Sequence, residues 1–294
     1  MNPSDSHAAV YRSLETPFGS PWRRGVNRLM NFLCAAVTLA ALVPLLSIVL
    51  LVLKKGVPLL SWHVFTELPP APGLTGGGFG NALAGTGMMV GMALLMAAPL
   101  GILAAIYICE YSPASRLSQA VRFTSKLLTG IPSIICGVFA FAVVVLTMGR
   151  FSAFAGGVAL AVLSLPTIVL TTEQALLGVA KSYREASYGL GATRFQTIWR
   201  AVLPEATPAI MTGLMLALAR AAGETAPVLF TALFNAYWSH SPLDPTASLS
   251  VLIYNYATLP YDYQIQLAWT ASLVLVGLVT ATSIIAQIVF RRRH

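Results

Sequence analysis

Charge is scarce in this sequence. Only 10% of its 294 residues are Asp, Glu, Lys or Arg, where an ordinary soluble domain carries about 25%. Cysteine is also scarce. Cys34, Cys109 and Cys136 are odd in number and lie in or beside apolar stretches, so they form no disulfide framework and read as small apolar fillers. No Gly-x-x-x-x-Gly-Lys-Ser/Thr run occurs, which removes a Walker A loop for ATP from this chain. His7, His63, His240 and His294 are scattered without metal-ligand spacing, so no metal site is expected. Hydroxyls such as Ser152 and Ser164 have no His and Asp companions at matching depth, which leaves nucleophilic catalysis without support. No basic cluster interleaved with aromatics sits on a soluble domain, so nucleic acid is not an expected partner. No internal repeat is visible, and inverted-repeat transporter folds gain nothing from the sequence.

Apolar length is abundant. Hydrophobic residues make up 56% of the chain and its mean hydropathy is +0.75. Crossing the hydrocarbon takes about 20 apolar residues in a helix. Stretches near 31–53, 82–108, 127–148, 206–233 and 265–290 meet that length, and 154–176 meets it despite Pro166. Pro44, Pro99 and Pro132 sit in other spans; membrane helices tolerate them because neighbours re-satisfy the freed carbonyls. The expectation is an all-α membrane protein with six transmembrane helices. Residues 1–30 are polar, contain Pro3, Pro17 and Pro21 and read as a mobile tail. The apolar run after Arg28 is too long for a cleavable signal peptide. Residues 54–80, with Pro69-Pro70 and Gly76-Gly77-Gly78, read as a flexible outer connection.

Lys and Arg set the expected orientation. Fourteen of them flank the odd-side loops and both ends: Arg12, Arg23, Arg24 and Arg28; Arg116, Arg122 and Lys126; Lys181, Arg184, Arg194 and Arg200; Arg291 to Arg293. Lys54, Lys55 and Arg150 alone fall on the other side. Both termini are therefore expected in the cytoplasm. The formal charge of +8 is mostly this bias, together with contact with anionic membrane lipid.

Two charges break the apolar pattern. Arg220 and Glu224 lie inside the fifth apolar stretch, four residues apart, on one helical face where they can pair. An isolated charge at mid-membrane costs about 2.5–3.5 kcal/mol on insertion scales. Either an inward-facing ion pair or a polar path offsets that cost, and intramembrane charges are functional by default. Thr225 follows directly. Thr129 and Ser133 flank Pro132 one turn apart, either bonding back to loosened carbonyls or lining a route. Glu173 reads as an interfacial carboxylate within reach of Lys181 or Arg184. The segment 234–264 holds Tyr237, Trp238, Tyr254, Tyr256, Tyr261 and Tyr263 but no Lys or Arg. It reads equally as an interfacial belt and as a short helix near Leu249–Tyr254 that caps the path.

Between the fourth and fifth stretches lies a polar block of two short helices hinged at glycine. Glu185 is expected in a first helical turn, Ala186 leaves a smooth surface, Ser187 follows, Gly191 breaks the backbone, and Leu203-Pro204 ends the second helix before the next span. The block resembles the coupling loop of ABC importer permeases, with Ser187 where alanine is usual and Ala201 where an aliphatic residue is. Three further runs sharpen the resemblance: Pro99-Leu100-Gly101-Ile102 through Glu110-Tyr111, Gly130-Ile131-Pro132-Ser133-Ile134, and Ala219-Arg220-Ala221-Ala222-Gly223-Glu224-Thr225-Ala226-Pro227. From about residue 80 onward the chain is similar to PstA-type permeases of phosphate-specific ABC importers.

That resemblance implies a type I ABC importer permease fold over 81–290, with a coupling loop at 177–205 and a basic tail at 291–294, in a bacterial plasma (inner) membrane. It implies that Arg220 and Glu224 are the fifth-span charges and that the region of Glu185, Ala186 and Gly191 meets an ATPase. It implies three kinds of partner chain: a second, PstC-like permease, two copies of a PstB-like ATP-binding subunit that hold ATP and Mg, and a PstS-like phosphate-binding protein outside. The permease itself would carry no cofactor and no catalytic residue. Rival readings are a permease for another oxyanion and an ATP-independent channel or secondary carrier.

Overall fold

The structure is a computed structural model that describes residues 21–290. The expected tail positions 1–20 and 291–294 lie outside the described residues. The main helices are α1 (Pro21–Gly56), α2 (Gly80–Ile106), α3 (Arg116–Gly130), α4 (Ser133–Ala140), α5 (Ala153–Leu177), α6 (Lys181–Gly189), α7 (Leu203–Gly223), α8 (Leu249–Ala257) and α9 (Asp262–Phe290). Widened π-type turns at Tyr107–Tyr111 and Phe141–Val145 prolong α2 and α4, and a third, Ile198–Val202, leads into α7. Five helices are long and apolar enough to cross a membrane, or six if the bent pair Arg116–Gly130 and Ser133–Met148 is one span.

The chain divides after Leu51 into two compact units. The first is a helix on its own. Its described part runs from Pro21, ahead of the expected residue 31. Residues 21–30 are thus helix and not tail. Large apolar side chains from Leu29 and Phe32 to Leu46 and Leu50 are exposed on all sides, the pattern of a helix whose solvent is lipid. Near Pro44, the Ser47 hydroxyl donates to the Val43 carbonyl at 2.7 Å.

The second unit is built around α5, most of whose apolar window is buried. Ser152 caps its start by accepting from the Ala155 N–H at 3.1 Å. The most extensive pairing is with α2. Glycines allow it: a Cβ at Gly101 would stand 2.7 Å from a methyl of Ile168, and one at Gly156 would stand 2.6 Å from the Met89 sulfur. Met89, Ala93, Leu160, Ile168, Ala217, Ala221 and Val251 make one core where α2, α5, α7 and α8 meet.

Residues 54–80 are pinned, contrary to the flexible connection expected. Gln264 on α9 donates to the carbonyls of Ala71 and Leu74, both at 3.1 Å, and Tyr256 donates to that of Pro70 at 3.2 Å. Val64 and Phe79 are buried in a second core beneath. Gly77, with φ +71°, is there for closeness, since a Cβ would lie 2.5 Å from the Leu68 carbonyl oxygen.

The third apolar stretch is not one straight helix. The chain turns by 107° between α3 and α4, at Ile131-Pro132, because the residue before a proline is pushed out of the helical region; Ile131 takes φ −78°, ψ 137°. Arg116, Arg122 and Lys126 give α3 a charged face, and α3 and the helix after the bend have the length and hydropathy of a crossing only when taken together. The fifth stretch differs at both ends. Its helix continues from Arg194 through Pro204, so Pro204 does not end a helix: the wide turn Ile198–Val202 just before it gives the ring room. The helix then stops at Gly223, short of the expected 233.

Candidate functional site

The stop at Gly223 has a local cause. Pro227 cannot donate an N–H to the Gly223 carbonyl, and its ring would collide with it. The backbone becomes extended at Glu224, with φ −73° and ψ 129°, and resumes one helical turn at Ala226–Leu229. Arg220 therefore occupies the last turn of α7 and Glu224 stands just past the helix end, not on a continuous helical face. They still meet: Arg220 Nε donates to Glu224 Oε1 at 3.5 Å. The cation also sits at the negative end of the helix. Among the described residues no other hydrogen bond reaches the guanidinium, which leaves its Nη1 and Nη2 donors open.

Two neighbours grip the break. Ser250 of α8 donates its hydroxyl to the Glu224 carbonyl at 2.8 Å and is itself 3.0 Å from the Ser248 hydroxyl. Gly137 of α4 touches Pro227 so closely that a Cβ would stand 2.6 Å from the proline Cα. Ser133 lies one turn before Gly137 on the same face of α4, in a stripe with Cys136 and Ala140. Thr225 opens the turn that follows the break. Thr129 is separate from this group. It lies on α3, across the bend from Ser133, and donates to the carbonyls of Ser125 and Lys126, both at 2.9 Å. The expected one-turn relation between Thr129 and Ser133 does not occur, because the 107° bend falls between them.

The polar block is two helical pieces about a glycine. α6 begins at Lys181, so Glu185 lies in its second turn rather than its first. Glu185 and Ala186 are exposed, and Ser187 lies 2.9 Å from the Thr197 hydroxyl of the next piece. Gly191 has φ +81°, the left-handed conformation that lets α6 end and the chain reverse. Thr193 and Gln196 then form a reciprocal capping box at the start of Arg194–Thr197. Leu203 and Pro204 begin α7 behind the wide turn. Tyr183, Tyr188, Leu190, Phe195 and Trp199 are exposed on the block, Leu190 at 90%. Apolar groups so bare on a polar surface are the usual mark of a docking face, a signal the sequence held in the aromatics spaced through this stretch.

Beneath the block lies a cleft of about 590 Å³ lined by Glu110, Lys181, Arg184, Glu185 and Arg194, among others. Arg184 of this cleft and Arg122, which does not line it, are both committed. Arg184 pairs with Glu110 at 2.5 Å, while Arg122 on α3 pairs with buried Glu173 on α5 at 2.5 Å. Glu173 thus meets neither Lys181 nor Arg184, the partners expected for it. The pairings join residues 51 and 74 positions apart, a separation at which sequence spacing is silent.

The 234–264 segment is both aromatic and folded inward. α8 is capped by Ser248 and buries Leu249, Ser250, Val251, Leu252 and Tyr256. The Thr86 hydroxyl of α2 accepts from the Leu249 N–H at 2.9 Å.

Comparison with known proteins gives the family and the fold. Residues 97–294 match the family model of the binding-protein-dependent transport system inner membrane component. The chain is 40% identical over 272 residues to the phosphate transport system permease protein PstA of Yersinia pestis, covering 92% of each. It is 39% identical over 272 residues to that of Haemophilus influenzae, covering 92% of this chain and 96% of the relative. It is 36% identical over 251 residues to the probable phosphate transport system permease protein PstA of Methanocaldococcus jannaschii, covering 85% and 88%. Among solved structures, a chain of the inward-facing MetNI methionine ABC transporter superposes with TM-score 0.58 at 23% identity, covering 72% of this chain and 92% of that one. At that identity the likeness is one of fold.

Proposed function

Because the chain belongs to the inner membrane components of binding-protein-dependent transport systems, and within them to the PstA permeases, we propose that it forms half of an ATP-driven path for inorganic phosphate centred on Arg220. It is a multi-pass membrane permease of the type I ABC importer fold and not itself an enzyme. The observation that carries the site is the guanidinium held at a helix break with its Nη donors open. A permanently charged planar fork suits a tetrahedral oxyanion.

Glu224 shares the cation between cargo visits and keeps its charge offset. Ser133 and Thr225 supply hydroxyls near the break, and Thr129 supplies one at the far side of the α3–α4 bend. A second, PstC-like permease closes the other half of the path. The exposed face of Glu185 and Ala186, braced by Ser187 against Thr197, hinged at Gly191 and footed at Leu203-Pro204, docks one of two PstB-like ATPases, which hold the ATP and Mg. That face and both termini lie in the cytoplasm, as the Lys and Arg bias argues. A PstS-like binding protein delivers phosphate to the opposite side. Closure of the ATPases moves the block as a lever and switches access to Arg220 from one side to the other.

The test is Arg220→Ala. The variant is expected to assemble in the membrane and lose phosphate uptake. Retained high-affinity uptake refutes the site. Competition by sulfate, molybdate and phosphonate in the same assay checks the choice of anion.

A further inference from the structure

The wide turn Tyr107–Tyr111 at the end of α2 receives three arginines from three different elements. Arg184 of α6 donates Nε and Nη2 to the Glu110 carboxylate at 2.5–3.3 Å, while its Nη1 and Nη2 reach the carbonyls of Val179 and Leu176 at 2.9 Å. The Leu176 carbonyl belongs to the last turn of α5, where acceptors lack helical partners, and the Val179 carbonyl to the chain just beyond it. Arg194, from the second half of the block, donates to the carbonyls of Glu110 and Tyr111 and lies over the Tyr111 ring at 5.2 Å. Arg122 of α3 donates to the Ile108 and Pro113 carbonyls at 2.8 Å and to Glu173. A five-residue turn whose carbonyls are loosened by its wide geometry is thereby clamped from every side.

Stability alone is a weak reason for this arrangement. A buried ion pair is often no more stabilising than apolar residues of similar volume, whereas it fixes direction and register. The turn is also one end of a continuous chain of contacts. α2 runs from it to Thr86, which accepts from the Leu249 N–H; α8 runs on to Ser250, which donates to the Glu224 carbonyl at the break. Packed elements joined by directional bonds are the physical means by which two distant sites share a coupling energy.

We propose that the Tyr107–Tyr111 turn is the socket through which the polar block drives α2, with Arg184 and Arg194 as positioning residues that pass its displacement to the break at Glu224. This rests on the reading of the block as an ATPase-docking lever. Neither arginine touches phosphate or ATP. Their loss uncouples the two: nucleotide is turned over without cargo moving.

The experiment uses the whole complex in proteoliposomes, measuring ATP hydrolysed per phosphate transported. The double variant Glu110→Gln with Arg184→Gln removes the pair without leaving a buried charge alone. Thr86→Val removes the link at the far end. In both, the ratio is expected to rise by about tenfold or more, the scale of a typical coupling energy, while assembly and ATP hydrolysis persist. An unchanged ratio in either variant, a proportional fall of hydrolysis and transport, or failure of the double variant to assemble overturns the proposal. Failure of the underlying reading looks different, since the ATPase subunit would then stay bound and coupled when the exposed face at Glu185 and Ala186 is altered.

Discussion

Gly137 of α4 and Pro227, just past the break in the fifth span, meet backbone to backbone, and a Cβ on the glycine would stand 2.6 Å from the proline Cα. No flexible side-chain end can yield there. Gly137→Ala is expected to destabilise by about 1–3 kcal/mol, the range for overpacking a filled interior. Thermal unfolding of the purified complex checks it, with Gly91→Ala as a control, since nothing lies within 4 Å of a Cβ there. Equal midpoints for the two variants would contradict the contact.

Arg122→Ala strands Glu173, whose side chain is 7% exposed. Removing one partner of such a pair costs about 3–5 kcal/mol, because the remaining charge stays buried. The neutral pair Arg122→Gln with Glu173→Gln is expected to cost less than Arg122→Ala alone. Unfolding midpoints of the single and double variants measure the difference.

Gly191→Ala places a side chain at φ +81°, where an L-residue costs about 1–2 kcal/mol. No atom lies within 4 Å of the added Cβ, so the effect is conformational and not steric. Gly191→Asn is expected to lie closer to the native chain, because Asn tolerates the left-handed region. Retention of the ATPase subunit on purification reads the outcome; identical losses for Ala and Asn would count against the hinge.

Tyr256 offers a pH test. Burial pushes its hydroxyl up from 10.0 to about 12. The unfolded chain therefore loses that proton first, and the folded state is progressively disfavoured as pH rises from 10 toward 12. Below 10 the contribution is fully present. Tyr256→Phe gives up the bond to the Pro70 carbonyl, about 1 kcal/mol, but flattens the alkaline decline. Stability profiles of the two chains that run parallel through this window would refute the assignment.

The helical class and the places of the apolar spans were legible because hydropathy over 20 or so residues needs no tertiary knowledge. The hinge at Gly191 was legible too, since glycine flanked by helix-forming residues has few other uses. The breaks were less so. Pro132 and Pro204 look alike in sequence, yet one bends the chain by 107° and the other is absorbed by a wide turn, a difference settled by the packing of neighbours. The Arg220–Glu224 pair was visible from its spacing of four, but the loss of helix between them was not. The clamps of Arg122, Arg184 and Arg194 were invisible for a third reason: their acceptors are backbone carbonyls and carboxylates brought near only by the fold.

A wide turn holds one residue more than an ordinary one, and each residue of a helix sweeps about 100° around the axis. The turn Ile198–Val202 therefore sets the azimuth of everything that follows it in the fifth span. Deleting a single residue from the regular helix between it and Arg220, with every functional side chain intact, would swing the guanidinium about 100° around the axis, whereas the wide turn, which has a residue to give, would absorb the same loss. In this span one uncharged position decides where the charge points.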